Sequence, residues 1–311
     1  MSKDINRIAI IGTGVIGASW AALFLAQGKD VVATDIAPDA KPKLQTFIDA
    51  AWPALERLGL APGASRTRLE FTANLDEAVA GSDFVQENGP ERLDFKKDLY
   101  RHLDNILASD TIIASSSSGL TMSEIQSACK NHPERCVIGH PFNPPHLVPL
   151  VEIVGGANTS EETIERATAF YRSLGKRTVR LHKEVPGHVA NRLQAALYRE
   201  IVYLISEGVV SVADADTAVC WGPGLRWGGM GPSLLFHLGG GDGGIEHFFE
   251  QFTGPLTAWW HVLGNPELSP EVRATIIQGV HEQTKSRSVQ DLAAHRDELL
   301  LGLLSLRRDE I

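Results

Sequence analysis

An apolar run, Arg7-Ile-Ala-Ile-Ile11, leads straight into Gly12-Thr-Gly14-Val15-Ile16-Gly17, and an acid, Asp35, closes a second apolar run, Val31-Val-Ala-Thr. No other stretch of the chain narrows its possible folds as much. Gly12 allows a tight turn after the strand, Gly14 lets a pyrophosphate approach the backbone, and Gly17 lets the following helix pack close to the strand. A helix opening at Val15 and Ile16 turns unpaired N–H groups and a partial positive charge toward phosphates. Asp35 stands where a carboxylate accepts hydrogen bonds from a ribose 2′-hydroxyl and repels a 2′-phosphate. Ile36 and Ala37 supply no basic substitute. The pattern predicts a dinucleotide site and NAD in preference to NADP. The same glycines without strand, helix and acid in register would mean only a Gly-rich turn.

Strands and helices continue to alternate beyond this opening. A helical stretch from about Asp39 to Leu58 is followed by strand-like segments at Leu69-Glu-Phe-Thr, Asp83-Phe-Val-Gln-Glu, Thr111-Ile-Ile-Ala, Arg135-Cys-Val-Ile-Gly, Val148-Pro-Leu-Val-Glu-Ile-Val and Arg177-Thr-Val-Arg-Leu-His. Asn74-Leu-Asp-Glu77 and Thr121-Met-Ser-Glu124 have the form of capping boxes, and helices are expected from Pro90 to Lys97 and from Ser160 to Leu174. Such alternation predicts an α/β, Rossmann-type, doubly wound and largely parallel sheet. The pattern changes near Pro186-Gly187. Beyond it, apolar residues recur at helical spacing, as in Leu193, Leu197, Ile201, Leu204 and Ile205, broken by glycine at 222–231 and 239–244. The expected division is therefore 1–186 for the dinucleotide-binding domain and 187–311 for a smaller all-helical domain. Gly239-Gly-Gly-Asp-Gly-Gly lacks the Lys-Ser/Thr of a phosphate loop and reads as a flexible connection.

A length of 311 residues suits about two domains. With 43% hydrophobic and 22% charged residues, neither disorder nor a membrane protein is indicated. No apolar run reaches the ~18–20 residues of a spanning helix. A polar N-terminus enters the first strand directly, so no signal peptide is expected and a cytoplasmic address follows. A formal charge of −9 argues against nucleic-acid and acidic-membrane partners. Cys129, Cys136 and Cys220 fit neither a disulfide framework nor a zinc site, and the histidines show no H-E-x-x-H spacing, so no metal is expected.

His140 ends an apolar strand and precedes Pro-Phe-Asn-Pro-Pro, which cannot continue as a central strand or helix. Ligands of open α/β sheets bind at the carboxyl ends of strands. Glu152 stands between apolar neighbours in Val-Glu-Ile-Val, where a carboxylate is costly to bury unless paired. Paired with His140 it would make a general base: the imidazole takes a hydroxyl proton while the acid fixes its tautomer. A structural histidine beside an exposed acid is the alternative.

Gly12-Thr-Gly-Val-Ile-Gly17, Ser115-Ser-Ser-Ser118-Gly-Leu120, His140-Pro-Phe-Asn-Pro144, Val151-Glu152-Ile-Val and Pro186-Gly-His-Val-Ala-Asn191-Arg-Leu together resemble the motif set of the 3-hydroxyacyl-CoA dehydrogenase superfamily, colinearly from residue 6 to about 200. The resemblance implies that His140 is the base and Glu152 its partner. It also implies that Ser118 and Asn191 bond the reacting oxygen or the histidine, that Glu91 and Lys96 lie near the nicotinamide ribose, and that the chain forms a homodimer. The serine run reads Ser-Ser-Ser-Ser-Gly-Leu where the family more often has Ser-Asn-Thr-Ser-Ser-Leu, and Ser118 is the choice among the four.

Acyl-CoA members carry a lysine-rich helical stretch that meets the phosphates of CoA. Here Lys41, Lys43, Arg57, Arg66 and Arg68 are balanced by acids, a poor cradle for a polyanion. Ala51-Trp-Pro-Ala-Leu-Glu-Arg-Leu-Gly-Leu-Ala-Pro-Gly63, Gly222-Pro-Gly-Leu-Arg226-Trp227 and Met230-Gly231 instead resemble the branch acting on small free 3-hydroxy acids. L-carnitine 3-dehydrogenases are its nearest members by motif, and L-gulonate 3-dehydrogenases, related to λ-crystallin, are the neighbouring group. A trimethylammonium group needs aromatic faces, for which Trp221 and Trp227 are candidates, with Trp259 and Trp260 nearby. Arg226 could hold a carboxylate by a bidentate contact. The same aromatics could instead fill a core or an interface. Gly228-Gly229 follow Trp227 where carnitine enzymes carry bulkier residues, and the missing side chains would widen the pocket. A 3-hydroxyacyl-CoA substrate, a non-catalytic NAD-binding protein and a crystallin-like structural protein are the competing readings.

Overall fold

The computed structural model describes residues 4–307. Its first strand and the four runs that follow form β1 (Arg7–Ile11), β2 (Asp30–Thr34), β3 (Leu69–Phe71), β4 (Phe84–Glu87), β5 (Ile112–Ser115), then β6 (Cys136–Pro141), β7 (Leu150–Gly155) and β8 (Arg177–Leu181). They make one sheet in the order β3-β2-β1-β4-β5-β6-β7-β8. Strands β1 to β6 are parallel, β7 runs antiparallel to β6, and β8 is parallel to β7. The helices between them are α1 (Val15–Ala26), α2 (Ala40–Leu58), α3 (Leu75–Val79), α4 (Leu93–Ile106), α5 (Met122–Gln126) and α6 (Glu161–Ser173).

The reversal at β7 has a covalent cause. A return to the same end of the sheet needs a crossover of a dozen or more residues. Only the proline-rich segment 142–149 separates β6 from β7, so the chain turns back beside β6. From β7 to β8 the chain is long enough to include α6, and the pair is parallel again.

Alternation along each strand feeds two cores. Ile8 and Ile10 pack with Trp20, Phe24, Phe84, Phe170 and Tyr171 on one face of the sheet. Ala9 and Ile11 pack with Val85, Tyr100, Leu103, Ile113 and Ile125 on the other. Thr121 and Glu124 form the reciprocal cap expected at α5. At α3 only half of the expected box forms: Asn74 accepts from the amides of Asp76 and Glu77, but the Glu77 carboxylate takes the Thr72 hydroxyl instead of returning to Asn74. The helix expected from Pro90 starts three residues later, at Leu93, after a turn in which the Arg92 amide bonds the Pro90 carbonyl.

Beyond Pro186 the described residues are helical: α7 (Ala190–Ser206), α8 (Val212–Trp221), α9 (Pro223–Trp227), α10 (Pro232–Gly239), α11 (Gly244–Val262), α12 (Pro270–Thr284) and α13 (Val289–Leu306). Within the glycine run, Gly241–Gly243 form a short 3-10 turn between α10 and α11. By packing, residues up to Asn191 and those from Arg296 onward form one unit, and Arg192–His295 form a second. Phe236 and Phe252 each stack on Phe248 within the second unit, and a small separate core there holds Ile205, Val212 and Ala215. Among the described residues no helix is long and apolar enough to cross a membrane, and no three His, Cys, Asp or Glu side chains are grouped to hold a metal ion.

Candidate active site

Antiparallel pairing of β6 with β7 sets His140 directly opposite Glu152, and directly opposed residues of a ladder share one face. Their side chains meet: His140 Nδ1 lies 2.8 Å from Glu152 Oε2, and both residues are buried. The other carboxylate oxygen, Oε1, accepts the amides of Val189 at 2.8 Å and Ala190 at 2.9 Å, at the start of α7. Burial works against ionisation of Glu152, but the His140 hydrogen bond and the two amides outweigh it and hold the carboxyl below its ordinary range. An ionised carboxylate only accepts hydrogen bonds, so Nδ1 of His140 carries the proton and Nε2 is left as the basic nitrogen.

A second histidine, which sequence reasoning did not single out, completes this cluster. His188 is buried in a left-handed backbone conformation (φ 50°), with its ring 5.0 Å from that of His140. Its Nε2 bonds the Ser117 carbonyl at 3.0 Å. A carbonyl can only accept, so the proton sits on Nε2, and burial holds the ring's pKa below its ordinary value. Its position directly after Gly187, inside the Pro186–Asn191 motif, was the available signal. Asn191, half-buried, lies one residue beyond the amides that grip Glu152.

Each serine of the run after β5 has a distinct place. Ser115 donates to Glu87 Oε2 at 2.6 Å, Ser116 to Asn88 Oδ1 at 2.7 Å, and Ser117 to Glu91 Oε1 at 2.6 Å. Ser118 is exposed, and its amide bonds Glu91. Among the described residues its hydroxyl alone of the four makes no hydrogen bond, which leaves it available to a ligand. Glu91 Oε1 also takes the amides of Gly119 and Leu120, so this acid shapes the serine loop. Lys96 is turned inward: its ammonium is held by both oxygens of Glu87, at 2.7 and 2.8 Å, and lies 3.9 Å from Glu91.

The glycine loop fits a dinucleotide. Gly12 has a φ of 83°, and a Cβ there would stand 2.8 Å from the Asn88 carbonyl oxygen. A Cβ on Gly17 would stand 1.9 Å from the Gly12 carbonyl oxygen, whereas one on Gly14 would meet nothing within 4 Å. Gly12 and Gly17 thus serve the protein's own packing, and the space over Gly14 is the open cradle that a pyrophosphate needs. Val15 is exposed and Ile16 half-buried at the helix start. Asp35 Oδ2 takes the Thr13 amide at 2.7 Å and its hydroxyl at 2.9 Å, and Oδ1 takes the Ala37 amide. Partial burial opposes the charge, but these bonds prevail and hold the carboxyl below its ordinary range.

In the second unit, Trp221 ends α8, and Arg226 and Trp227 lie on α9, all three exposed. Trp259 and Trp260 on α11 are exposed as well. Of the clustered aromatics only Phe248 is buried; Phe236, Phe249 and Phe252 are exposed like these four tryptophans. Neither Gly228 nor Gly229 is demanded by packing, since a Cβ on either would make only ordinary contacts.

Two family profiles match the chain: "3-hydroxyacyl-CoA dehydrogenase, NAD binding domain" over residues 7–185 and "3-hydroxyacyl-CoA dehydrogenase, C-terminal domain" over residues 187–267. The L-carnitine dehydrogenase of Streptomyces griseus is 48% identical over 302 residues, covering 97% of this chain and 90% of that protein. That of Pseudomonas putida is 48% identical over 301 residues, covering 97% and 94%. Among solved structures, the NAD-dependent 5-formyl-3-hydroxy-2-methylpyridine 4-carboxylic acid 5-dehydrogenase superposes with a TM-score of 0.83 at 33% identity, covering 97% of this chain and 98% of that one.

Proposed function

The chain belongs to the 3-hydroxyacyl-CoA dehydrogenase family, and from that premise we propose that it oxidises the 3-hydroxyl of L-carnitine to the 3-keto acid. It is an NAD-dependent oxidoreductase; the substrate and the roles of its residues are the proposal. The buried His140–Glu152 pair carries the chemistry, and the near full-length similarity to L-carnitine dehydrogenases carries the choice of substrate.

The turn that Gly12 and Gly17 make possible would bring Gly14, Val15 and Ile16 to the pyrophosphate of NAD. Asp35 would meet its adenosine ribose and Glu91 its nicotinamide ribose, with Lys96, buried on Glu87, acting only through Glu91 at 3.9 Å. When bound, NAD supplies the hydride acceptor. His140 Nε2 accepts the proton of the substrate hydroxyl, and Glu152 stabilises the imidazolium through Nδ1. The amides of Val189 and Ala190 hold Glu152 in its charged form. Ser118 and Asn191 orient the oxygen that becomes a carbonyl. Trp221 and Trp227 supply aromatic faces to the trimethylammonium group and Arg226 a partner to the carboxylate.

A homodimer is part of this reading. The second unit buries few large apolar residues yet exposes Leu193, Trp221, Leu225, Leu234, Leu238 and Val262, more than a lone helical unit leaves to water. Isologous pairing of two copies would cover such a face. A cytoplasmic address accords with the three cysteines remaining thiols, two of them with sulfurs 3.8 Å apart.

The deciding experiment follows NADH formation by absorbance with purified protein, NAD and, side by side, L-carnitine, L-gulonate and 3-hydroxybutyryl-CoA. Turnover of L-carnitine in clear excess is the expected outcome. Preference for the CoA ester would overturn the substrate, and turnover of L-gulonate alone would move the enzyme to the neighbouring group. Binding of NAD without turnover of any hydroxy acid would instead support a non-catalytic protein.

A further inference from the structure

A cavity of about 220 Å³ opens in the first unit, away from the residues given catalytic or cofactor roles above. Its walls are apolar: Leu23 of α1, Leu55 and Leu58 of α2, and Leu304 near the end of α13. Two ionisable side chains share the lining, His146 and Lys176. Lys176 is buried just before β8. Its ammonium donates to the Val148 carbonyl at 2.9 Å and to the Pro145 carbonyl, and lies 5.1 Å from the centre of the Trp20 ring. Among the described residues no carboxylate forms an ion pair with it, and burial alone, with no charged group acting, pushes its pKa down to about 7.

A buried ammonium without a counter-ion is costly, and a leucine or methionine would pack beside Trp20 without that cost. His146 is the second polar group. Its amide donates to Ser19 Oγ at 2.8 Å and its Nδ1 lies 2.7 Å from the same oxygen; with the serine hydroxyl donating to Nδ1, Nε2 is the nitrogen that carries the proton. Burial first, opposed by the charge of Asp297 and aided by those of Lys176 and Arg296, holds this ring down to about 4, so it is neutral at physiological pH. Apolar walls with a few converging polar groups of shifted pKa are the usual form of a small-molecule site.

We infer that this cavity is a second ligand site, and that its occupant is a short aliphatic carboxylate whose charged head is the missing counter-ion of Lys176. At about 30 Å³ for each carbon-sized group, the space suits a chain of roughly six carbons. The carboxylate accepts from the Lys176 ammonium and the His146 Nε2–H, and the alkyl tail lies among the leucines. Binding near about pH 8 returns a proton to Lys176, because the ligand charge favours the ammonium form.

The test is calorimetric titration of the full-length protein with hexanoate at about pH 8, repeated in buffers of different ionisation enthalpy. The expected result is binding of one hexanoate per chain with proton uptake. Lys176→Met, which keeps the length of the side chain, should weaken binding by about tenfold or more and abolish the uptake. Leu58→Trp fills the cavity from α2 without touching Lys176 and should block binding, so the proposal stays testable even if the lysine variant fails to fold. Hexan-1-ol should bind at least about tenfold more weakly than hexanoate, without uptake. Absence of hexanoate binding, equal binding of the alcohol, or binding that survives Leu58→Trp would each overturn the inference.

Discussion

At His140 the bond to Glu152 decides which ring nitrogen is basic, so removal of the ring is the sharpest local test of the proposed mechanism. His140→Gln keeps a polar side chain of similar reach but no base. It should lower turnover by about 100-fold or more while leaving NAD affinity, measured by calorimetry, near wild type. Turnover close to wild type would remove His140 from the mechanism. Asp35 tests the cofactor end. Its carboxylate is locked by Thr13 and Ala37 with its charge preserved, so Asp35→Ala should weaken NAD and narrow the gap between NAD and NADP. Equal NAD affinity in both proteins would count against a ribose contact. The acid after the second strand was legible in the sequence because its spacing from the glycines is a property of one βαβ unit. The choice of Ser118 came from the family resemblance and not from the residues themselves. Four consecutive serines are alike as letters, and only the structure shows three hydroxyls drawn to Glu87, Asn88 and Glu91. His188 was missed for a similar reason: nothing local says that a residue 48 positions after His140 lies against its ring.

Among the elements, the turn from β1 into α1 and the reversal from β6 into β7 do the most to place the site. The first was readable because strand, glycines and helix are contiguous. Its tolerance is small: a methyl group on Gly17 would meet the Gly12 carbonyl oxygen at 1.9 Å. Gly17→Ala must therefore push α1 away from β1, at a cost of about 1–3 kcal/mol for such overpacking. It should lower the melting temperature and weaken NAD by more than about tenfold, seen in thermal unfolding with and without cofactor. An unchanged melting temperature would mean that the loop can relax. The second element was only half readable. The cost of burying Glu152 pointed to His140 as a partner, but the antiparallel step that sets them opposite each other was not anticipated. Segment 142–149 is too short for a crossover, and this was the signal that could have shown it.

For the whole molecule, two features outlast any single element. The exposed apolar face of the helical unit leads to the expectation of a dimer at micromolar concentration in sedimentation velocity. A monomer there would require those side chains to be covered otherwise. Lys176 governs a second property. Below about pH 7 its amine is protonated in both folded and unfolded chains, and the full cost of burying the charge is present. Between about pH 7 and pH 10 the unfolded chain holds a proton that the folded chain has released, so stability rises with pH. Lys176→Met should flatten that rise in urea unfolding and make the protein more stable at the acid end of the window. A slope equal to wild type would show that the amine is hydrated in the folded chain. The sequence by itself determined the alternation of strands and helices, the dinucleotide loop with its acid, and the family, because each is encoded in residues close along the chain. Only the tertiary structure decided which serine keeps a free hydroxyl, that a second histidine lies beside the first, and that a lone ammonium borders a cavity. Those depend on contacts between distant segments, where packing and burial, not spacing, determine which groups meet.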